Sequence, residues 1–158
     1  MSALALSPES WRLVRVVLAD STRMGCQLLG DALRRFRCLE VVASASSSCE
    51  ILAALSDHAA DVAVLSPALD DDSGKGFKLA RQLRAAYPQI KVVMLIDSSR
   101  RDLVIEAFRA GAKGVFCRTD SIKALCRSIC SVYMGQVWAN SEQIRYVLEA
   151  LMEATPLS

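Results

Sequence analysis

The sequence predicts a doubly wound α/β domain, with a five-stranded parallel sheet of order 2-1-3-4-5 and one extra C-terminal helix. Three observations lead there. Five short apolar runs rich in β-branched residues alternate with five amphipathic segments, and strands joined through helices must lie parallel. The fourth run, Lys91–Ile96, is apolar without interruption after its opening lysine, as a strand covered on both faces must be. Right-handed crossovers then restrict the winding to this class.

Each element has its own local reason. Val14–Ala19 is a strand ending at Asp20. Thr22 caps a helix whose apolar positions Met24, Leu28, Leu29, Ala32, Leu33 and Phe36 keep helical spacing. Leu39–Ala43 is the second strand. Ser47-Ser-Cys-Glu50 has the spacing of a capping box, and Ile51, Leu52 and Leu55 follow it. Asp61-Val-Ala-Val-Leu-Ser66 contains the third strand and ends in a hydroxyl. The acidic loop from Pro67 to Gly76 leads to a helix through Phe77, Leu79, Ala80 and Leu83, bounded by Pro88.

Beyond the fourth strand, Ser99-x-x-Asp102 repeats the capping-box spacing ahead of Leu103, Val104, Ala107 and Phe108, and Gly111 stops that helix. Gly114–Cys117 is the fifth strand. Asp120 or Ser121 caps a helix carrying Ile122, Leu125, Cys126, Ile129 and Val132. Asn140 with Gln143 opens a sixth helix with the stripe Ile144, Val147, Leu148, Leu151 and Met152. That helix has no strand to cross to, so it either packs back on the domain or meets a partner. The expected organisation is an arm over 1–12 with Trp11 at the domain edge, a domain over 13–139, a helix over 140–153 and a linker-like tail over 154–158.

Composition narrows the function. The 158 residues are 53% hydrophobic and 23% charged, which describes a packed domain and not a disordered chain. Basic residues number 19 against 17 acidic. So even a balance argues against direct nucleic-acid contact from these residues. No apolar run approaches the roughly 20 residues of a membrane span. Met1–Pro8 lacks the charged start and apolar stretch of a secretory leader, so a cytoplasmic protein with reduced thiols is expected. The six cysteines include no Cys-x-x-Cys, and His58 is the one histidine. A Cys/His zinc site therefore has little material, and no metal or cofactor is expected.

An acid ending the first strand, a polar residue ending the third with Gly74 eight positions on, Arg109-Ala-Gly111-Ala-Lys-Gly114-Val-Phe-Cys-Arg118, and Gly135-Gln-Val-Trp138 form a set. Together they make the chain, over roughly residues 13–139, resemble the receiver domain of bacterial two-component response regulators. The subgroup it resembles is the NarL/FixJ type, which joins a receiver to a LuxR-like helix-turn-helix. In that family a strand-three aspartate accepts a phosphoryl group, an acid pair after strand one holds Mg²⁺, and a hydroxyl and a lysine grip the phosphoryl oxygens. A carboxylate nucleophile needs this cationic surround to neutralise developing charge.

Carried over position by position, the resemblance implies a dismantled pocket. Ser66 stands at the nucleophile, Asp20 and Ser21 at the acid pair, Ile96 at the hydroxyl, Arg118 at the lysine and Val115 at the aromatic switch. A planar guanidinium is no copy of an ammonium. Ser66 reads as a partly buried hydroxyl and Asp70–Asp72 as solvated loop acids. Asp20 and Arg118 either form a salt bridge across the crevice or are solvated separately. Cys126 and Cys130, one helical turn apart, read as core or interface filler, with redox or metal chemistry as the alternative. Lys75, Lys78, Arg81 and Arg84 give one helix a basic, solvated face.

The function these readings favour is a non-enzymatic, phosphorylation-independent receiver. It acts by homodimerisation and controls a DNA-binding domain outside these residues. Leu29, Leu33, Leu125, Ile129, Ile144, Leu148 and Leu151 are the candidate contact residues. The alternatives are a stand-alone small-molecule sensor or adaptor and, below it, a flavodoxin-like enzyme. Asp20-Ser-Thr-Arg-Met-Gly25, however, is neither a Gly-x-Gly-x-x-Gly nor a P-loop.

Overall fold

The computed structural model describes residues 13–154. The elements run β1 Val14–Ala19, α1 Arg23–Arg34, β2 Leu39–Ala45, α2 Ser48–Asp57, β3 Val62–Leu65, α3 Lys75–Ala86, β4 Lys91–Ile96, α4 Arg101–Arg109, β5 Gly114–Cys117, α5 Ile122–Tyr133 and α6 Ser141–Ala154. The five strands are all parallel, in the order β2-β1-β3-β4-β5. The doubly wound sheet that the sequence predicts is therefore what the chain forms. The expected arm with Trp11 lies outside the described residues, as does the tail beyond Ala154.

Successive side chains of a strand point to opposite faces, and the core divides accordingly. Val16, Leu18, Val62, Val64, Val93, Leu95 and Phe116 pack with Leu33 of α1 and Leu125, Ile129 and Val132 of α5. Val17, Ala63, Leu65, Met94 and Val115 pack with α2, α3 and α4 through Ile51, Leu79, Leu83, Val104 and Ala107. Burying a Leu or Ile side chain is worth about 1.5–3 kcal/mol, so each face carries a complete helix layer.

That packing corrects three of the candidate contact residues. Leu33, Leu125 and Ile129 are fully buried, because the apolar stripes of α1 and α5 are the faces turned to the sheet. They cannot meet a partner. Leu29 is half-buried against the same core.

Other departures are local. β2 runs to Ala45, two residues past its expected end, because Ser44 and Ala45 pair with Leu18 and Ala19 beyond a register shift between Val16 and Val17. Pairing here overrides the weak strand preference of Ala and Ser. Thr22, Ser47 and Ser121 cap their helices as expected, each accepting a backbone N–H three residues on. Ser99 does not cap α4. Arg100 is the N-cap residue and makes no side-chain cap bond, while the Ser99 hydroxyl accepts from Gln143 Nε2 at 3.1 Å.

α6 packs back on the domain. Tyr146 and Val147 lie against the core beside α4, and Arg101 of α4 reaches Glu149 and Glu153 at 3.9 and 3.2 Å. Its capping box is reciprocal. Asn140 N donates to Gln143 Oε1 at 2.9 Å, and Gln143 N donates to Asn140 Oδ1 at 2.8 Å. The predicted stripe thus splits: Val147 faces inward, while Ile144, Leu148, Leu151 and Met152 remain exposed.

The glycine that the sheet end requires is Gly76, not Gly74. A Cβ on Gly76 would stand 1.8 Å from the Ser66 carbonyl oxygen and 2.8 Å from Pro67 Cα, whereas at Gly74 the nearest atom is 3.9 Å away. Gly76→Ala is expected to lower stability by about 2–4 kcal/mol. Gly74→Ala should cost about 1 kcal/mol or less. Urea titration of the two variants measures the difference, and equal midpoints would refute it.

Candidate functional site

At the carboxyl end of the sheet a crevice of about 450 Å³ is lined by Asp20, Ser21, Thr22, Ser66, Pro67, Ala68, Ser73, Asp97, Leu103 and Arg118. Open α/β sheets place their ligand sites here, because the strand ends and their loops converge on this edge. Asp20 is brought in by β1, Ser66 by β3, Asp97 by β4 and Arg118 by β5.

Asp20 is only 3% exposed. Its Oδ1 accepts the Ser21 N–H at 2.8 Å. The carboxylate lies so close to the first turn of α1 that a Cβ on Gly25 would fall 2.2 Å from Oδ2. Glycine at 25 is therefore what makes room for the acid. Opposite it, Arg118 Nη2 donates to Oδ1 at 2.5 Å and Nη1 to Oδ2 at 3.4 Å. Arg118 Nε meets Asp97 Oδ1 at 3.1 Å. The salt bridge left open by the sequence is formed, and it uses the fork that distinguishes arginine from lysine.

Asp97 is the crevice residue that sequence reasoning missed. Its signal was available: an acid directly after the fourth strand, where loop residues enter the crevice. Ser66 lies between the charged groups, buried, with its N–H bonded to Ala19 O at 2.8 Å. Ile96 and Val115 are buried in the core below and do not line the crevice. Val115 packs instead at the Trp138 side of β5, where its N–H donates to Trp138 O at 2.9 Å.

The loop acids have structural partners. Asp70 Oδ2 accepts from Ser48 N at 3.3 Å and from Ser48 Oγ at 3.0 Å, which ties the loop to the start of α2. Asp72 Oδ1 accepts the Gly74 N–H at 2.9 Å. Asp70 and Asp71 hold φ of 55° and 58°, a left-handed turn that aspartate tolerates. Of the basic face on α3, Arg81 bonds Glu106 and Lys78 stands 3.9 Å from Asp72, so it is partly neutralised within the chain.

Magnesium is held by several hard oxygen donors in near-octahedral order. Here the one buried carboxylate, Asp20, has both oxygens turned to a guanidinium, and the exposed Asp97 carboxylate meets the same guanidinium. Ser66 offers a neutral hydroxyl. This donor set does not fit a magnesium ion. The cation that Asp20 faces is the chain's own Arg118.

Removing Arg118 leaves Asp20 buried and uncompensated, which typically costs about 3 kcal/mol. Arg118→Met is expected to lose about 2–4 kcal/mol, and Asp20→Asn with Arg118→Met to recover at least about 1 kcal/mol of it. Chemical denaturation of the four members of this cycle measures the coupling. Strict additivity would show that the pair contributes nothing.

The sequence matches the response regulator receiver domain family over residues 16–129. It is 30% identical over 124 residues to the DNA-binding transcriptional activator DevR/DosR of Mycobacterium tuberculosis, covering 78% of this chain and 56% of that protein. The chain thus spans about half the length of that relative. Among solved structures, a LuxR-family two-component response regulator from Aurantimonas sp. SI85-9A1 superposes with a TM-score of 0.76. That match has 18% identity and covers 89% of this chain and 99% of the other. The isolated receiver domain of RcsB from Salmonella enterica serovar Typhimurium, in the presence of a phosphomimetic, gives 0.73 at 14% identity over 86% and 99%. At these identities the structural likeness establishes the fold, and the sequence match establishes the family. This chain belongs to the response regulator receiver domain family.

Proposed function

We propose that this receiver works without phosphorylation, as an association module that governs a DNA-binding domain outside these residues. The observation that carries this reading is the state of the crevice. A neutral Ser66 stands where a phosphoacceptor carboxylate would be needed, and the acid beside it is already paired with Arg118. Phosphoryl transfer relies on charge placed to receive charge. A closed ion pair next to a hydroxyl has none to offer. No nucleophile–base pair lines the crevice either, so the domain is read as non-enzymatic.

Control then passes through contacts. Ile144, Leu148, Leu151 and Met152 recur at i, i+4, i+7 and i+8 along α6 and stay exposed, Leu148 at 54% and Met152 at 76%. One apolar helix face repeated on a second copy pairs most simply about a two-fold axis. A solved RcsB structure contains two dimers bound to two DNAs, which supports a dimeric working state by relationship. Among the described residues no helix is long and apolar enough to cross a membrane, and a cytoplasmic regulator is the reading that fits.

Incubation with Mg²⁺ and acetyl phosphate, followed by intact-mass measurement, is expected to leave the mass of the protein unchanged. Ser66→Asp alone should stay unmodified as well, since Asp20 remains bound to Arg118. A stable gain of one phosphoryl group on the unaltered protein would overturn the proposal. In sedimentation velocity at micromolar concentration the protein is expected to run as a dimer, and Leu148→Glu as a monomer. A monomer before substitution removes the association part.

A further inference from the structure

Away from the crevice, at the edge where β2 begins, three cysteines converge. Cys38 lies in the turn between α1 and β2, with its carbonyl held by Val14 N–H at 2.9 Å. Cys126 and Cys130 stand one turn apart on α5. Cys38 Sγ is 3.8 Å from Cys126 Sγ and 3.9 Å from Cys130 Sγ, and the three sulfurs lie within 4.8 Å of one another. Cys126 is buried, Cys130 half-buried and Cys38 exposed. The cluster therefore has a protein floor and one face open to solvent.

We propose that Cys38, Cys126 and Cys130 form a three-thiolate site for a thiophilic divalent metal ion of the Zn²⁺ class. Zinc–sulfur bonds of about 2.3 Å place tetrahedral ligands about 3.8 Å apart and trigonal ones about 4.0 Å apart. The two shorter separations fall in that interval before any ion arrives. Soft thiolates select such metals over the hard, oxygen-bound ions, and the solvent face at Cys38 leaves a fourth position for water. Binding is a ligand exchange: three thiols release three protons to solvent as three metal–sulfur bonds form, with no change of oxidation state. Burial and the neighbouring Cys38 push Cys126 up to about 12, and burial pushes Cys130 up to about 11. Cys126 and Cys130 thus stay protonated until a cation stands beside them.

A bound ion would fasten the α1–β2 turn to α5, two segments that meet here through these sulfurs above a shared core. The site is independent of the crevice and of α6, so its failure would leave the proposed function standing.

The test uses the full chain, reduced and kept free of oxygen, titrated with Zn²⁺ and, for its ultraviolet thiolate-to-metal charge-transfer band, with Cd²⁺. One metal per chain is expected to survive gel filtration, with the band growing to a 1:1 end point. Loss of a supporting group around a metal weakens binding about 10- to 100-fold. Cys38→Ser and Cys130→Ser should each lose at least that much, with a smaller Cd²⁺ band and unchanged far-ultraviolet circular dichroism. Cys49→Ser, an exposed thiol elsewhere, should bind like the parent. Metal retained below one per chain would overturn the proposal. So would equal binding by Cys38→Ser, Cys130→Ser and Cys49→Ser.

Discussion

A carboxylate taken out of water must find a positive partner or give up its charge. Asp20 meets that condition at the end of β1, and much of the crevice follows from how it does so. In the sheet order β1 and β5 are separated by β3 and β4, so the Arg118 side chain crosses the mouth of the sheet to reach it. Gly25 clears the space on one side and Asp97 steadies the guanidinium on the other. Arg118 thus offsets the buried Asp20, and the neutral Ser66 at the end of β3 adds no further negative charge beside the pair. A carboxylate in place of Ser66 would be the third in the crevice and add a full negative charge against one guanidinium. The neutral residue and the internal cation are two sides of one electrostatic solution.

What was legible in the sequence was what is local. Apolar runs separated by capped helices specify the α/β order, because strand and helix periods and caps act over a few residues. The Asn140–Gln143 box closes as its spacing predicts. Nonlocal competition explains the rest. Ser99 has the right spacing to cap α4, yet Gln143, 44 positions later, claims its hydroxyl. Leu33, Leu125 and Ile129 form stripes that a sequence cannot assign to sheet or to partner, since either would bury them equally well. The sheet takes them. Asp97 is exposed along most of its surface and matters only because Arg118 arrives beside it.

The sulfur cluster shows the same limit from the other direction. Cys126 and Cys130 are visibly paired by helical spacing, but the third member is 88 residues from the nearer of them. Winding β2 to the sheet edge beside β1, with α1 and α5 on the same face, closes that gap. Cysteine spacing alone predicts little material for a metal, and topology supplies the missing ligand. Motif searches over short windows are blind to such a site by construction.

The geometry also bears on how a receiver whose buried acid is already paired with Arg118 could transmit anything. The loop between β4 and α4 is four residues long, and two of them face in different directions. Asp97 bonds Arg118 in the crevice, and Ser99 bonds Gln143 at the start of α6. One residue beyond that loop, Arg101 reaches Glu149 and Glu153 farther along the same helix. The crevice and α6 are therefore joined through one short loop whose neighbouring residues bond to each, which is the kind of connection that can bias one site from another when it has two arrangements. Without a phosphoryl group to change the charge, free energy to shift such an equilibrium has to come from binding, and binding shifts it only by its difference between the two states. The association proposed for α6 would meet that requirement, because it would act on the helix that this loop holds.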